Sequence, residues 1–108
     1  MRRGDVVIVV IQGDYGKPRP SVIVQDDLLN STHPSFFVCP CTSDILPGHE
    51  VRPLIEPTPA NGLRARSKLM VDKLAVVPRA KVKEVIGHLE PDDLARLNWA
   101  LMLVLGLP

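Results

Sequence analysis

Residues 5–25 read DVVIVVIQGDYGKPRPSVIVQ, and this stretch decides the fold. Asp5 to Gln12 is a β-branched run, the signature of a buried strand. Gly13 to Pro20 holds two glycines and two prolines and is expected to form a loop. Ser21 to Gln25 then gives a second strand. Two strands joined by a Gly/Pro loop start a sheet. The same punctuation recurs outward along the chain.

Asp26 to Ser35 is expected to be a surface loop or a short helical turn. Phe36 to Cys41 forms a third strand, and Pro40 should place its end at an edge or outside the sheet. Thr42 to Gly48 turns. Glu50 to Glu56 suggests a strand broken at Pro53, and Pro57 to Gly62 a tight loop. Lys68 to Asp72 and Leu74 to Val77 are expected as short strands. For Arg79 to Leu89 the pattern fits helix and strand equally. Pro91 opens the one clear helix: proline suits the first turn, and Asp92 and Asp93 suit the positive end of the helix dipole. Leu94, Leu97, Leu101 and Leu105 share a stripe. Trp99, Met102 and Val104 are apolar on other faces, so the helix end should be buried on a second side, against a partner subunit or under its own sheet. The expectation is a mainly β (α+β) chain, a small sheet or half-open barrel with a C-terminal helix, with residues 1–108 as a single domain.

Composition narrows the function. The 108 residues are 45% hydrophobic, with a net charge of +1 and only 4% aromatic. A wholly basic nucleic-acid binder and an aromatic stacking platform are both excluded. Eleven prolines disfavour long helices. The start of the chain lacks a leader pattern, and the longest apolar run, Trp99 to Leu107, is too short to span a bilayer. Cys39 and Cys41 stand at i and i+2, a spacing that rarely allows a disulfide, and no Cys/His pair has zinc spacing. A cytoplasmic protein with reduced thiols, no cofactor, no metal and no membrane association is expected.

The low net charge conceals asymmetry. Arg64, Arg66, Lys68, Lys73, Arg79, Lys81 and Lys83 fall within twenty residues, opposed only by Asp72. Arg64, Arg66 and Lys68 alternate, so an extended segment would put them on one face. A surface that tracks phosphates is one reading; a solvated strand face is the other. The sharpest local cluster is Lys17-Pro18-Arg19-Pro20. Two prolines stiffen the backbone about an arginine whose planar fork suits two phosphate oxygens. A surface ion pair with Asp14, Asp26 or Asp27 is the plainer account. Thr42 and Ser43, a hydroxyl pair at a strand exit, can bond an oxyanion or simply cap a turn. His33, His49 and His88 share no motif.

In order along the chain, these pieces resemble the MazF/PemK family of toxins. The matching pieces are Arg3-Gly4-Asp5-Val6, Arg19-Pro20 with the strand to Gln25, Asn30, Pro40-Cys41-Thr42-Ser43, Gly62-Leu63, Ser67, Asp72, Gly87 and the closing Leu101–Leu107 tract. Met70 and Lys73 replace residues common in the family, and the loop from Gly13 to Pro18 is shorter. The resemblance implies an SH3-like half-open barrel with a C-terminal helix, paired as a homodimer and neutralised by a cognate antitoxin. It implies metal-independent cleavage of single-stranded RNA to a 2′,3′-cyclic phosphate and a 5′-hydroxyl, with inhibition of translation and growth. Arg19 and Thr42 would be catalytic, with Arg19 stabilising charge on the phosphorus and serving as an acid. Tyr15, Lys17, Ser43, Arg64, Arg66, Asp72 and Lys73 would seat the RNA. A CcdB-like gyrase poison, which shares this fold, is the alternative, suggested by Trp99 and Gly106; a silent binding module is a third.

Overall fold

The computed structural model describes residues 1–13 and 15–108. The elements, in chain order, are β1 (Asp5–Val10), β2 (Pro18–Ile23), α1 (Asp27–Asn30), β3 (Ser35–Thr42), β4 (Leu54–Ile55), β5 (Ser67–Leu69), β6 (Ala75–Pro78), β7 (Val82–His88) and α2 (Pro91–Leu105), with 3-10 turns at Val71–Lys73 and Arg79–Lys81. The sheet order is β4-β5-β3-β2-β1-β7, and β6 pairs with another part of β3. All pairings are antiparallel. The expected half-open barrel sheet with a terminal helix is what forms.

β1 explains its own composition. Val6 belongs to the core under α2, with Val22, Cys39, Leu97 and Leu101. Val7 and Val9 belong to a second core on the opposite face, with Ile23, Phe36 and Val38. A strand buried on both faces has no polar alternation to show. Cys39 and Cys41 point into the same core, as their i, i+2 spacing requires, and both are free thiols. Gln25 and Asn30 are a buried amide pair: the Gln25 side chain donates to Asn30 Oδ1, and Asn30 donates back to the Gln25 carbonyl, both at 3.0 Å.

Four expectations change. β2 begins at Pro18, three residues early, and includes both prolines. β3 runs through Pro40 to Thr42 in the interior of the sheet. Pro40 is tolerated because the side of β3 that lacks its N–H faces Met70, where pairing passes from β6 to β5; the Pro40 carbonyl accepts from the Met70 N–H at 2.8 Å. The segment expected as a strand from Lys68 to Asp72 is strand only to Leu69 and then a 3-10 turn, and the broken strand at Glu50 to Glu56 is reduced to Leu54–Ile55. Arg79 to Leu89 resolves into a 3-10 turn followed by β7, an edge strand.

α2 covers the sheet with Leu97, Ala100 and Leu101. The other face of its last two turns is left uncovered by the chain's own sheet: Trp99 is 73% exposed and Leu103 71%. No described helix is long and apolar enough to cross a membrane.

Candidate active site

A cleft of about 520 Å³ opens on the α2 side of the sheet, beyond the helix, where β2 and β3 part. Proline cannot donate to a ladder, so the pairs Ile8↔Pro20 and Val10↔Pro18 must be the non-hydrogen-bonded ones of β1–β2. Both prolines therefore turn their donor-less nitrogens toward β3. Pairing with β3 stops at Ser21↔Pro40, one residue from Pro20. The prolines thus do two things: they stiffen the backbone at Arg19 and they end the ladder that would otherwise close the cleft.

Arg19 and Thr42 flank this opening and both line the cleft. The Arg19 guanidinium donates to the Cys41 carbonyl at 3.4 Å, a weak bond that aims it along the β3 exit. The Thr42 hydroxyl accepts from the Asp44 N–H at 3.1 Å. The turn-cap reading is thus correct for its oxygen, while its proton remains available to donate. Of the carboxylates considered as partners for Arg19, Asp26 accepts from the Leu28 N–H at the start of α1, and Asp27 accepts from the Arg3 N–H and from Asn30. Those bonds hold the Asp27 carboxyl below its ordinary range, the Arg3 contact first. Asp14 lies outside the described residues.

Lys17, Ser43 and Arg64 join Arg19 and Thr42 in the cleft, as does Ser67. Arg64 reaches it because the loop before β5 lies down on β7. Asn61, fully buried, accepts from the Thr58 and Leu63 N–H groups and donates to the Glu56 carbonyl. A side chain at Gly87 would run into the Ala60 carbonyl, and one at Gly62 into the Ile86 carbonyl. The two glycines allow loop and strand to touch, and this contact forms the wall that carries Leu63 and Arg64.

The structure separates other expected residues. Arg64, Arg66 and Lys68 do not share a face, because residue 64 lies in a bend and not in a strand. Arg66 turns out to pair with Glu56 at 2.6 Å, and Lys68 donates to the Leu46 carbonyl. Arg79 is taken up structurally, donating to the Asn30 and His33 carbonyls and lying over the Phe36 ring. Asp72 does not line the cleft: Arg52, buried and outside the basic tract, holds it with two bonds of 2.7 and 2.9 Å. Lys73 lines a smaller recess that shares Arg19 with the cleft. Tyr15 lines a third recess with Lys81, which shares Gln12 and Gly13 with the second. Arg64, Lys17, Arg19, Lys73 and Lys81 therefore mark a run of adjoining recesses.

Two carboxylates in the cleft, Asp44 and Glu84, were not anticipated. Nothing near Glu84 in sequence signals its place; it arrives through the pairing of β7 with β1, opposite Ile8. Among the described residues, no group of three or more His, Cys, Asp or Glu side chains comes together as a metal site.

Comparison with known proteins identifies the family and the fold. The family model described as PemK-like, MazF-like toxin of type II toxin–antitoxin system matches residues 2–105. A probable endoribonuclease MazF of Mycolicibacterium smegmatis is 43% identical over 108 residues, covering 99% of this chain and 98% of that protein. Among solved structures, a mycobacterial endoribonuclease in complex with its cognate antitoxin has the same fold, with a TM-score of 0.84 at 19% identity, covering 100% of this chain and 97% of that one. The Mycobacterium tuberculosis toxin MazF-mt6 follows at 0.81 and 19% identity, covering 96% and 98%.

Proposed function

The chain belongs to the PemK-like, MazF-like toxin family of type II toxin–antitoxin systems, and from this membership we propose that it is a metal-independent endoribonuclease that cleaves single-stranded RNA at short sequences, inhibiting translation and growth. The observation that carries the reading is that Arg19 and Thr42 line one cleft, where the prolines hold β2 and β3 apart.

In the proposed reaction the ribose 2′-oxygen attacks the adjacent phosphorus. The 2′-O–P bond forms and the P–O5′ bond breaks. The proton leaves the 2′-hydroxyl, and another arrives on the 5′-oxygen, giving a 2′,3′-cyclic phosphate and a 5′-hydroxyl. Arg19 presents a planar fork to the charge that builds on the equatorial oxygens. A guanidinium has no lone pair to take up a proton, so Arg19 serves to stabilise charge or to donate a proton and not as a base. Thr42 donates its free proton to a phosphate oxygen. Lys17, Ser43 and Arg64 seat the phosphates on either side, and the strand continues past Arg19 toward Lys73 and Tyr15. Asp72 and Arg66, held by Arg52 and Glu56, receive no contact with RNA in this scheme.

Residues 1–108 act as one domain in this proposal, in the cytoplasm. The exposed apolar end of α2 is the surface for a second copy, and the run of cations is the surface for the antitoxin. A gyrase poison is not favoured: family membership and the Arg19–Thr42 cleft both speak for the nuclease.

The test is incubation of the purified protein with a long RNA in EDTA, with the cut ends mapped. Cuts at recurring short sequences, ending in 2′,3′-cyclic phosphates and 5′-hydroxyls, are expected. Intact RNA, or cleavage only after added Mg²⁺, would sink the proposal.

A further inference from the structure

Glu84 is one of the two carboxylates in the cleft that the reaction scheme leaves without a role. It faces Ile8 across β1–β7, and Ile8 faces Pro20 across β1–β2, so Glu84, Ile8 and Pro20 form one row over three strands. All three line the cleft. Outside the cleft, Asp72 is engaged by Arg52, Glu56 by Arg66 and Asp93 by Arg96. Asp44, which shares the cleft, accepts from the Leu46 N–H within its own loop. Among the described residues none bonds the Glu84 carboxylate.

A carboxylate repels phosphate, so in a cleft that holds phosphates with Lys17, Arg19 and Arg64 it must face another part of the RNA. Neighbouring strands stand about 4.8 Å apart, which puts the Glu84 backbone roughly 10 Å from Pro20. That is the reach of a base belonging to a nucleotide beside the cut, not of the scissile phosphate on Arg19. Among the four bases, guanine offers two parallel donors, N1–H and N2–H, that match the two carboxylate oxygens. Adenine and cytosine offer a single amino group, and uracil a single N–H between two repelling carbonyls.

We propose that Glu84 reads a guanine adjacent to the cleaved bond, setting sequence specificity. This rests on the endoribonuclease reading above. The test cleaves an RNA with a randomised segment and sequences the ends. The parent is expected to enrich guanine at one position next to the cut. Glu84→Gln, which places a donor where an acceptor is needed, should lower the guanine-over-uracil preference at that position about tenfold or more, with preferences elsewhere kept. Substituting inosine for guanosine, which removes the N2 amino group, should weaken cleavage by the unaltered parent and does not depend on any variant folding. No guanine preference in the parent, indifference to inosine, or an equal slowing of every sequence by Glu84→Gln overturns the proposal. Failure of the parent to cut any RNA overturns the nuclease reading itself, and is seen before any variant is made.

Discussion

Arg52 grips Asp72 with two side-by-side bonds, Nε to Oδ1 at 2.7 Å and Nη2 to Oδ2 at 2.9 Å, from a position where its own side chain is only 6% exposed. This fork-on-fork pair fastens the 3-10 turn Val71–Lys73 to the loop before β4. The bonds from Arg52 hold the Asp72 carboxyl below its ordinary value of 3.8. A carboxylate with a depressed folded pKa adds stability in full above its unfolded value and loses it as pH falls through the folded one. Asp72→Asn should therefore unfold more easily than the parent at neutral pH, with the gap closing below pH 3.8. Arg52→Ala should cost about 1–3 kcal/mol at neutral pH. Urea titrations across pH check both; a gap that persists at low pH would contradict them.

Arg19→Ala should lower kcat about 100- to 1,000-fold, the usual loss when a donor to a charged transition state is removed. Arg19→Lys should recover little, because a point charge cannot make the paired contact. Thr42→Ala should cost roughly tenfold, one neutral hydrogen bond, and Thr42→Ser should restore most of it. Single-turnover cleavage of a short RNA measures each. Wild-type rates in Arg19→Ala would remove Arg19 from the reaction.

Arg64 and Arg66 are two residues apart, yet one faces the cleft and the other pairs with Glu56. Arg64→Ala should weaken RNA binding and flatten its dependence on log salt concentration by about 0.7. Arg66→Ala should leave both nearly unchanged. Fluorescence anisotropy at several salt concentrations reads the difference, and equal effects would restore the picture of one shared basic face.

Gly87→Ala should destabilise by about 1–3 kcal/mol or more, since its methyl group would press on the backbone of Ala60 and Asn61. Cleavage should fall along with stability, because the same loop carries Arg64. Thermal unfolding and activity measured on one preparation test the link.

Both cysteines should stay unlabelled by Ellman's reagent at pH 8 in the folded protein. Burial pushes the Cys41 thiol up to about 12 and the Cys39 thiol higher still. Two thiols should appear only on unfolding in urea. Rapid labelling under native conditions would show that this core opens.

The sequence by itself determined β1, the helix from Pro91 and the proline-braced Arg19, because each rests on local physics: a β-branched run, a proline in a first turn, a fixed φ on either side of one residue. Arg19 and Thr42 were each legible as candidates for the same reason, since each stands at a strand end marked by its neighbours; only the ordered resemblance to a family joined them, and the fold sets both on one cleft. β7 was not, because its pairing with β1 shifts register twice, which erases the alternation that marks a strand. Tertiary structure alone decided which cations meet. Arg64 reaches the cleft through a loop laid on Gly87, Asp72 is claimed by an arginine twenty residues earlier, and Glu84 enters across the β1 ladder. Along a strand the direction of a side chain is local, but what stands opposite is set by register with a distant segment, and no window of sequence contains both.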